Sequence, residues 1–191
     1  MSVSKVDLQF LGRGRRATQI SDQERTPYAT SADFCRIFMN DMDSLYLLSL
    51  LLTGEHSVAE HCFIHSLEES QKGNPVFKQW TQSWAKRKII QNAIHVIRSR
   101  STDNWKTSCT SGLSTSRAMA HPAEITNILD LPQFERFVFV MFVLERFSLQ
   151  DCALLLGCSR SEVVAARTRA IQHIAKTGKL PCKVVSVDSD D

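Results

Sequence analysis

SLQDCALLLGCSRSEVVAARTRAIQHIA, residues 148–175, decides how this chain is read. Ser148 is a candidate N-cap with Asp151 three residues on. An apolar run then ends at Gly157, and Ser159 restarts a helix with Glu162 three residues later, the reciprocal pattern of a capping box. Two starts and one stop in so short a span predict a short helix, a glycine turn and a longer second helix. That is the spacing of a helix-turn-helix, whose second helix can lie in a DNA major groove. From Ser159 to Lys179 the chain carries Arg160, Arg167, Arg169, Lys176 and Lys179 against one acid, Glu162.

The 191 residues have room for one medium domain or two small ones, and 43% hydrophobic residues suffice for a core. No uninterrupted apolar stretch is long enough to span a bilayer, and Leu45–Leu52 and Phe137–Leu144 have the length of core helices. The N-terminal MSVSKVDLQFLGRGRR has neither an apolar segment nor a cleavage site, so the expectation is a cytoplasmic protein. Six scattered cysteines without a CxxC pair read as reduced thiols. Net charge is +3, unevenly placed. Residues 29–75 hold seven acids and two bases, residues 76–120 eight bases and one acid, and such an imbalance bears on partners rather than fold.

Working outward, residues 1–28 are polar and aperiodic and read as a basic leader. Ser31 or Asp33 is expected to cap a helix carrying Phe34, Ile37 and Phe38 and running on to Leu52, with Thr53-Gly54 as its stop. Ser57, with Glu60 three residues on, opens a second helix whose inner face is Ala59, Cys62, Phe63, Ser66 and Leu67. After Gly73-Asn74-Pro75 a long helix is expected from Phe77 to Arg98. Ser99–Ala120 is rich in Ser, Thr and Arg without an apolar period, and the linker is drawn over 99–129. FVFVMFVL, 137–144, would suit a buried strand, but Pro132 fits a first helical position and no other convincing strand exists to pair with it. The fold class expected is all-α: two small helical domains, 29–98 and 130–178, joined by a flexible linker, with an acidic tail at 179–191.

With the elements in this order, the chain resembles the bacterial sigma factors of RNA polymerase, most nearly the two-domain extracytoplasmic-function type. LPQFERFVFVMFVLERFSLQDCALLLGCSRSEVV (131–164) is similar to the family's Leu-Pro, apolar helix, short acidic helix, Leu-Gly-Cys and recognition helix. LLLTGEHSVAEHCFIHSL (50–67) is similar to its Leu-Thr-Gly turn and polymerase-binding helix, and WAKRKIIQNAIHVI (84–97) to its Trp-led helix that contacts promoter DNA. The resemblance implies core RNA polymerase and promoter DNA as partners, with an anti-sigma protein as a further candidate and no membrane. It implies polymerase contact at Glu60, His61, Ile64 and His65, and DNA contact at Lys86, Arg87 and Lys88 and at Arg160, Ser161, Val164, Arg167, Thr168 and Arg169. Two departures stand out. His61, Ile64 and His65 replace the family's Asp, Gln and Glu, and Val164, Ala165 and Ala166 stand where it carries Lys-Ser-Arg. Alanine and valine offer nothing to base edges or phosphates. The alternative reading is therefore a protein-interaction module derived from that scaffold, without promoter readout.

Each site has a plainer counterpart. The paired helices could be an αα-hairpin, although the caps and basic excess favour DNA contact. Trp80 and Trp84, four apart, read as core, whereas Lys86, Arg87 and Lys88 read as a surface gripping single-stranded DNA. His61 and His65 at i, i+4, near His56 and Cys62, have metal-ligand spacing but no distant partner motif, and read as surface histidines. No catalytic motif, cofactor signature or metal site is identified, and no enzyme role is expected.

Overall fold

The computed structural model describes residues 27–72, 75–100 and 122–177, and within them the chain is all-α. Its first helix, α1 (Ser31–Asn40), is capped by Thr30, whose hydroxyl accepts from the Asp33 amide while the Asp33 carboxylate accepts from the Thr30 amide. Both orphan donors are thereby satisfied. The cap lies one residue ahead of the expected Ser31.

The helix expected to run unbroken to Leu52 breaks at Asp41, and α2 (Met42–Thr53) follows. Just before the break Phe38 meets Phe63 edge-on, with ring centroids 5.3 Å apart. Leu45, Leu48 and Leu50–Thr53 are all buried, so α2 is the central helix. It ends at Gly54, whose φ of 77° is a left-handed conformation that suits glycine.

Helix α3 (His56–Lys72) starts ahead of the expected Ser57, whose hydroxyl instead bonds the Glu55 carboxylate at 2.7 Å. Ala59, Cys62 and Ser66 are buried as expected, with Phe63 and Leu67 partly so. The long helix begins differently from its expectation. A 3₁₀ turn (Lys78–Trp80) precedes α4 (Thr81–Arg100), whose core stripe is Ala85, Ile89, Ile90, Ala93, Ile94 and Ile97.

Part of the stretch drawn as linker is helical: α5 spans Ala123–Leu129. Residues 101–121 lie outside the described residues, as do most of the leader and the whole acidic tail. Helix α6 (Gln133–Val138) widens into a π-helical stretch (Phe139–Leu144), with the Glu145 amide on the Val140 carbonyl at 2.9 Å. The ambiguous FVFVMFVL run is therefore helical. Helices α7 (Leu149–Leu156) and α8 (Arg160–Thr177) are joined through Gly157, again left-handed.

The two halves share one apolar cluster, running from Phe38, Leu52 and Ile90 to Phe137, Met141, Leu156 and Val163. Polar ties reinforce it. Arg98 donates to the Leu156 carbonyl at 2.6 Å. Arg136, 8% exposed, donates to the Leu129 carbonyl at 2.9 Å and to the Leu52 carbonyl at 3.4 Å. Its guanidinium thus lies over the carboxyl end of α2, where a cation is favoured by the helix dipole. Burial lowers its pKa to about 10, leaving it charged at neutral pH.

Candidate nucleic-acid interface

Two surfaces carry the residues expected to meet DNA. One is α8. Ser159 and Glu162 form the expected clasp: the Ser159 amide donates to the Glu162 carboxylate at 2.7 Å and the Glu162 amide to the Ser159 hydroxyl at 3.2 Å. Ser148 likewise accepts from the Asp151 amide at 3.0 Å and starts α7. Val163, Ala166 and Ala170 anchor α8 on the core, so residues on the opposite side stand in solvent.

The side chains on that exposed side differ in availability. Ser161, Val164 and Thr168 are exposed. The Thr168 hydroxyl donates back to the Val164 carbonyl at 3.0 Å. Arg160 and Arg169 are exposed, but each spends its Nε on a neighbouring helix: Arg160 on Gln150 at 2.6 Å, Arg169 on Glu135 at 2.6 Å. Arg167 is half-buried, its guanidinium 5.0 Å from the Phe142 ring centroid and its Nε without a hydrogen-bond partner. It lies on an aromatic face rather than in open solvent.

The second surface is the start of α4. Trp80 is 56% exposed, contrary to the core expectation, and Trp84 is half-buried. The 3₁₀ turn, with three residues per turn, takes Trp80 off the line of Ala85 and Ile89. Trp80 packs edge-on to Phe77 at 5.1 Å, and Phe77 stacks on Tyr28 at 4.9 Å. A cleft of about 970 Å³ lies beside them, with Phe77, Trp80, Trp84 and Lys86 on one wall and Glu145 and Phe147 on the other.

All three expected cations of this surface have acidic partners. Lys86 Nζ is 2.6 Å from Glu145, Arg87 is 3.7 Å from Asp151, and Lys88 is 3.7 Å from Glu69 and 5.8 Å from the Trp84 ring centroid. Glu145 and Asp151 come from the other half of the chain. Sequence reasoning named the cations and missed these carboxylates, because nothing in a linear reading sets residue 86 against residue 145. Arg136 was also missed, although a lone arginine inside LPQFERFVFV was a legible signal.

The expected polymerase-binding residues Glu60, His61, Ile64 and His65 share the exposed side of α3, opposite Ala59, Cys62 and Ser66. Among the described residues, no group of three His, Cys, Asp or Glu side chains is placed to hold a metal ion, and no helix is long and apolar enough to cross a membrane.

The fold defined by these elements is an all-α sigma-factor-like one. Among solved structures it matches the sigma factor RpoE from Bartonella quintana, in a co-crystal structure with the anti-sigma factor NepR. The match has a TM-score of 0.51 and 17% identity, and it covers 78% of this chain and 98% of that chain. No family model matches the sequence, and no curated protein does.

Proposed function

We propose that this chain is a sigma-factor-like transcription initiation protein that docks on core RNA polymerase and engages promoter DNA. The observation that carries the reading is the doubly capped pair α7–α8, which holds a basic helix with its far side open to solvent. In this reading residues 29–98 and 130–178 are the two working units. The outer face of α3, Glu60, His61, Ile64 and His65, meets polymerase. Arg160 and Arg169 meet duplex phosphates, and Lys86, Arg87 and Lys88 meet opened strands. Mechanism here is binding energy without bond chemistry: phosphate neutralisation supplies affinity. An anti-sigma protein is a natural regulator for such a chain, and the neighbouring fold is known in complex with one.

A second reading, the protein-interaction module without promoter readout, is favoured by the outer face of α8, where Val164, Ala165 and Thr168 offer no free donor to a base edge. Co-purification with core polymerase, followed by transcription from genomic fragments, separates the two. Association with initiation supports the first reading. Association without initiation supports the second, and no association removes both roles at polymerase.

A further inference from the structure

We infer that the outer face of α8 reads duplex DNA through the C5-methyl groups of pyrimidines, without hydrogen bonds to base edges. This rests on the initiation reading, in which α8 meets a duplex, and it names the chemical group that the helix selects there.

A recognition helix meets base edges with the residues of its N-terminal turns. Beside the cap acid Glu162, the exposed side chains there belong to Arg160, Ser161, Val164, Ala165, Thr168 and Arg169. Most of their donors are committed. The Ser159 hydroxyl gives its proton to the Glu162 carboxylate at 2.8 Å, so the Ser161 hydroxyl, 2.9 Å away, donates to it. The Thr168 hydroxyl is taken by the Val164 carbonyl, and Arg169 is paired with Glu135. Gln172 sits about three turns from the start of α8, past the turns that enter a groove.

What remains at the front of the helix is apolar: Val164, 41% exposed, with Ala165 exposed beside it. The core does not use either, because α8 is anchored through Val163, Ala166 and Ala170. That valine and alanine offer nothing to a base edge holds for hydrogen bonds alone. The major-groove edge also carries an apolar group, the C5-methyl of thymine, and such a methyl is matched by an apolar side chain. In duplex DNA 5-methylcytosine presents the same group. Arg160 faces the amide of Gln150 and no carboxylate, so its charge is left for a phosphate, which positions the helix without reading sequence.

The test titrates the full chain with an alternating dA·dT duplex of about two helical turns, and with the same duplex carrying dU for dT. The two differ only in the C5-methyl groups, and every register presents the same groove, so no promoter sequence has to be known. Fluorescence anisotropy at low KCl should show the dT duplex binding tighter, by about fourfold for each methyl buried against Val164 or Ala165. The salt dependence should be the same for both, since the phosphate contacts are shared. Val164→Ser should bring the dT-over-dU ratio toward one, with an unchanged far-ultraviolet circular dichroism spectrum because the position is exposed. An alternating dG·dC duplex with and without C5-methylated cytosine separates the two sources. A gain on dT alone assigns thymine, and a gain on the methylated duplex alone assigns 5-methylcytosine. Equal affinity within both pairs would overturn the inference and leave duplex binding by α8 standing. A dT-over-dU ratio unchanged in Val164→Ser would also overturn it, assigning the preference to duplex shape. Absence of duplex binding even at low salt would instead defeat promoter engagement itself, and this inference with it.

Discussion

Replacing Glu145 by Gln should release Lys86 for nucleic acid. The Lys86–Glu145 pair is 2.6 Å long, with side chains 28% and 16% exposed. Exposed pairs contribute about 0.2–1 kcal/mol, and partial shelter puts this one near the top of that range, about 1 kcal/mol after solvent screening. The carboxylate therefore competes with any phosphate for the same ammonium. Its removal should raise affinity for a single-stranded oligonucleotide about fivefold at low salt. One more phosphate neutralised should also steepen the dependence of log K on log salt by about 0.7. The companion pair Arg87–Asp151, longer at 3.7 Å and more open, should matter less, and Asp151 also serves the α7 cap.

Fluorescence anisotropy with labelled oligothymidine over a KCl series measures both quantities. Thermal unfolding should fall by about 2–4 °C, because the same pair ties the two halves together. Lys86→Ala in the Glu145→Gln background should cancel the gain in binding. Unchanged affinity and slope, with the drop in stability present, would show Lys86 to be a staple between the halves and remove it from the nucleic-acid surface.

Three further outcomes are expected. Ser159→Ala should cost about 1 kcal/mol through loss of the α8 cap, seen as a lower midpoint in urea with an unchanged slope. Arg136→Ala should cost about 2–4 kcal/mol, since it opens a cavity and strands the Leu52 and Leu129 carbonyls; a loss below about 1 kcal/mol would mean that the guanidinium does not bridge the halves. The amide of Thr30 donates to the Asp33 carboxylate and, with that residue's hydroxyl, lowers its pKa, so the stabilisation is present above the ordinary carboxylate range and is lost as pH falls through the lowered folded value. Asp33→Asn should accordingly flatten the fall of unfolding free energy on the acid side of about pH 4 and leave alkaline behaviour unchanged.

Local signals in the sequence sufficed wherever the physics is local. Ser148, Gly157, Ser159 and Glu162 set the starts and stop of the last two helices through bonds spanning three or four residues, and the structure has them where the spacing puts them. The inner face of α3 and the helical state of 137–144 were legible for the same reason: periodicity and helix length depend on near neighbours. The break at Asp41 and the π-helical widening at Phe139–Leu144 were not; the residues beside them, Phe38 against Phe63 and Val140 and Met141 in the shared core, pack on parts of the chain that a local pattern does not record.

Composition determined that this chain would carry basic helices, and spacing determined which residues would share a face. Only the tertiary structure decided what those cations meet. Folding the halves around one core puts Glu145 on Lys86, Asp151 on Arg87 and Phe142 on Arg167, and leaves Val164 and Ile171 exposed on α8. A charge's availability depends on the nearest opposite charge in space, and chain order carries no record of that distance.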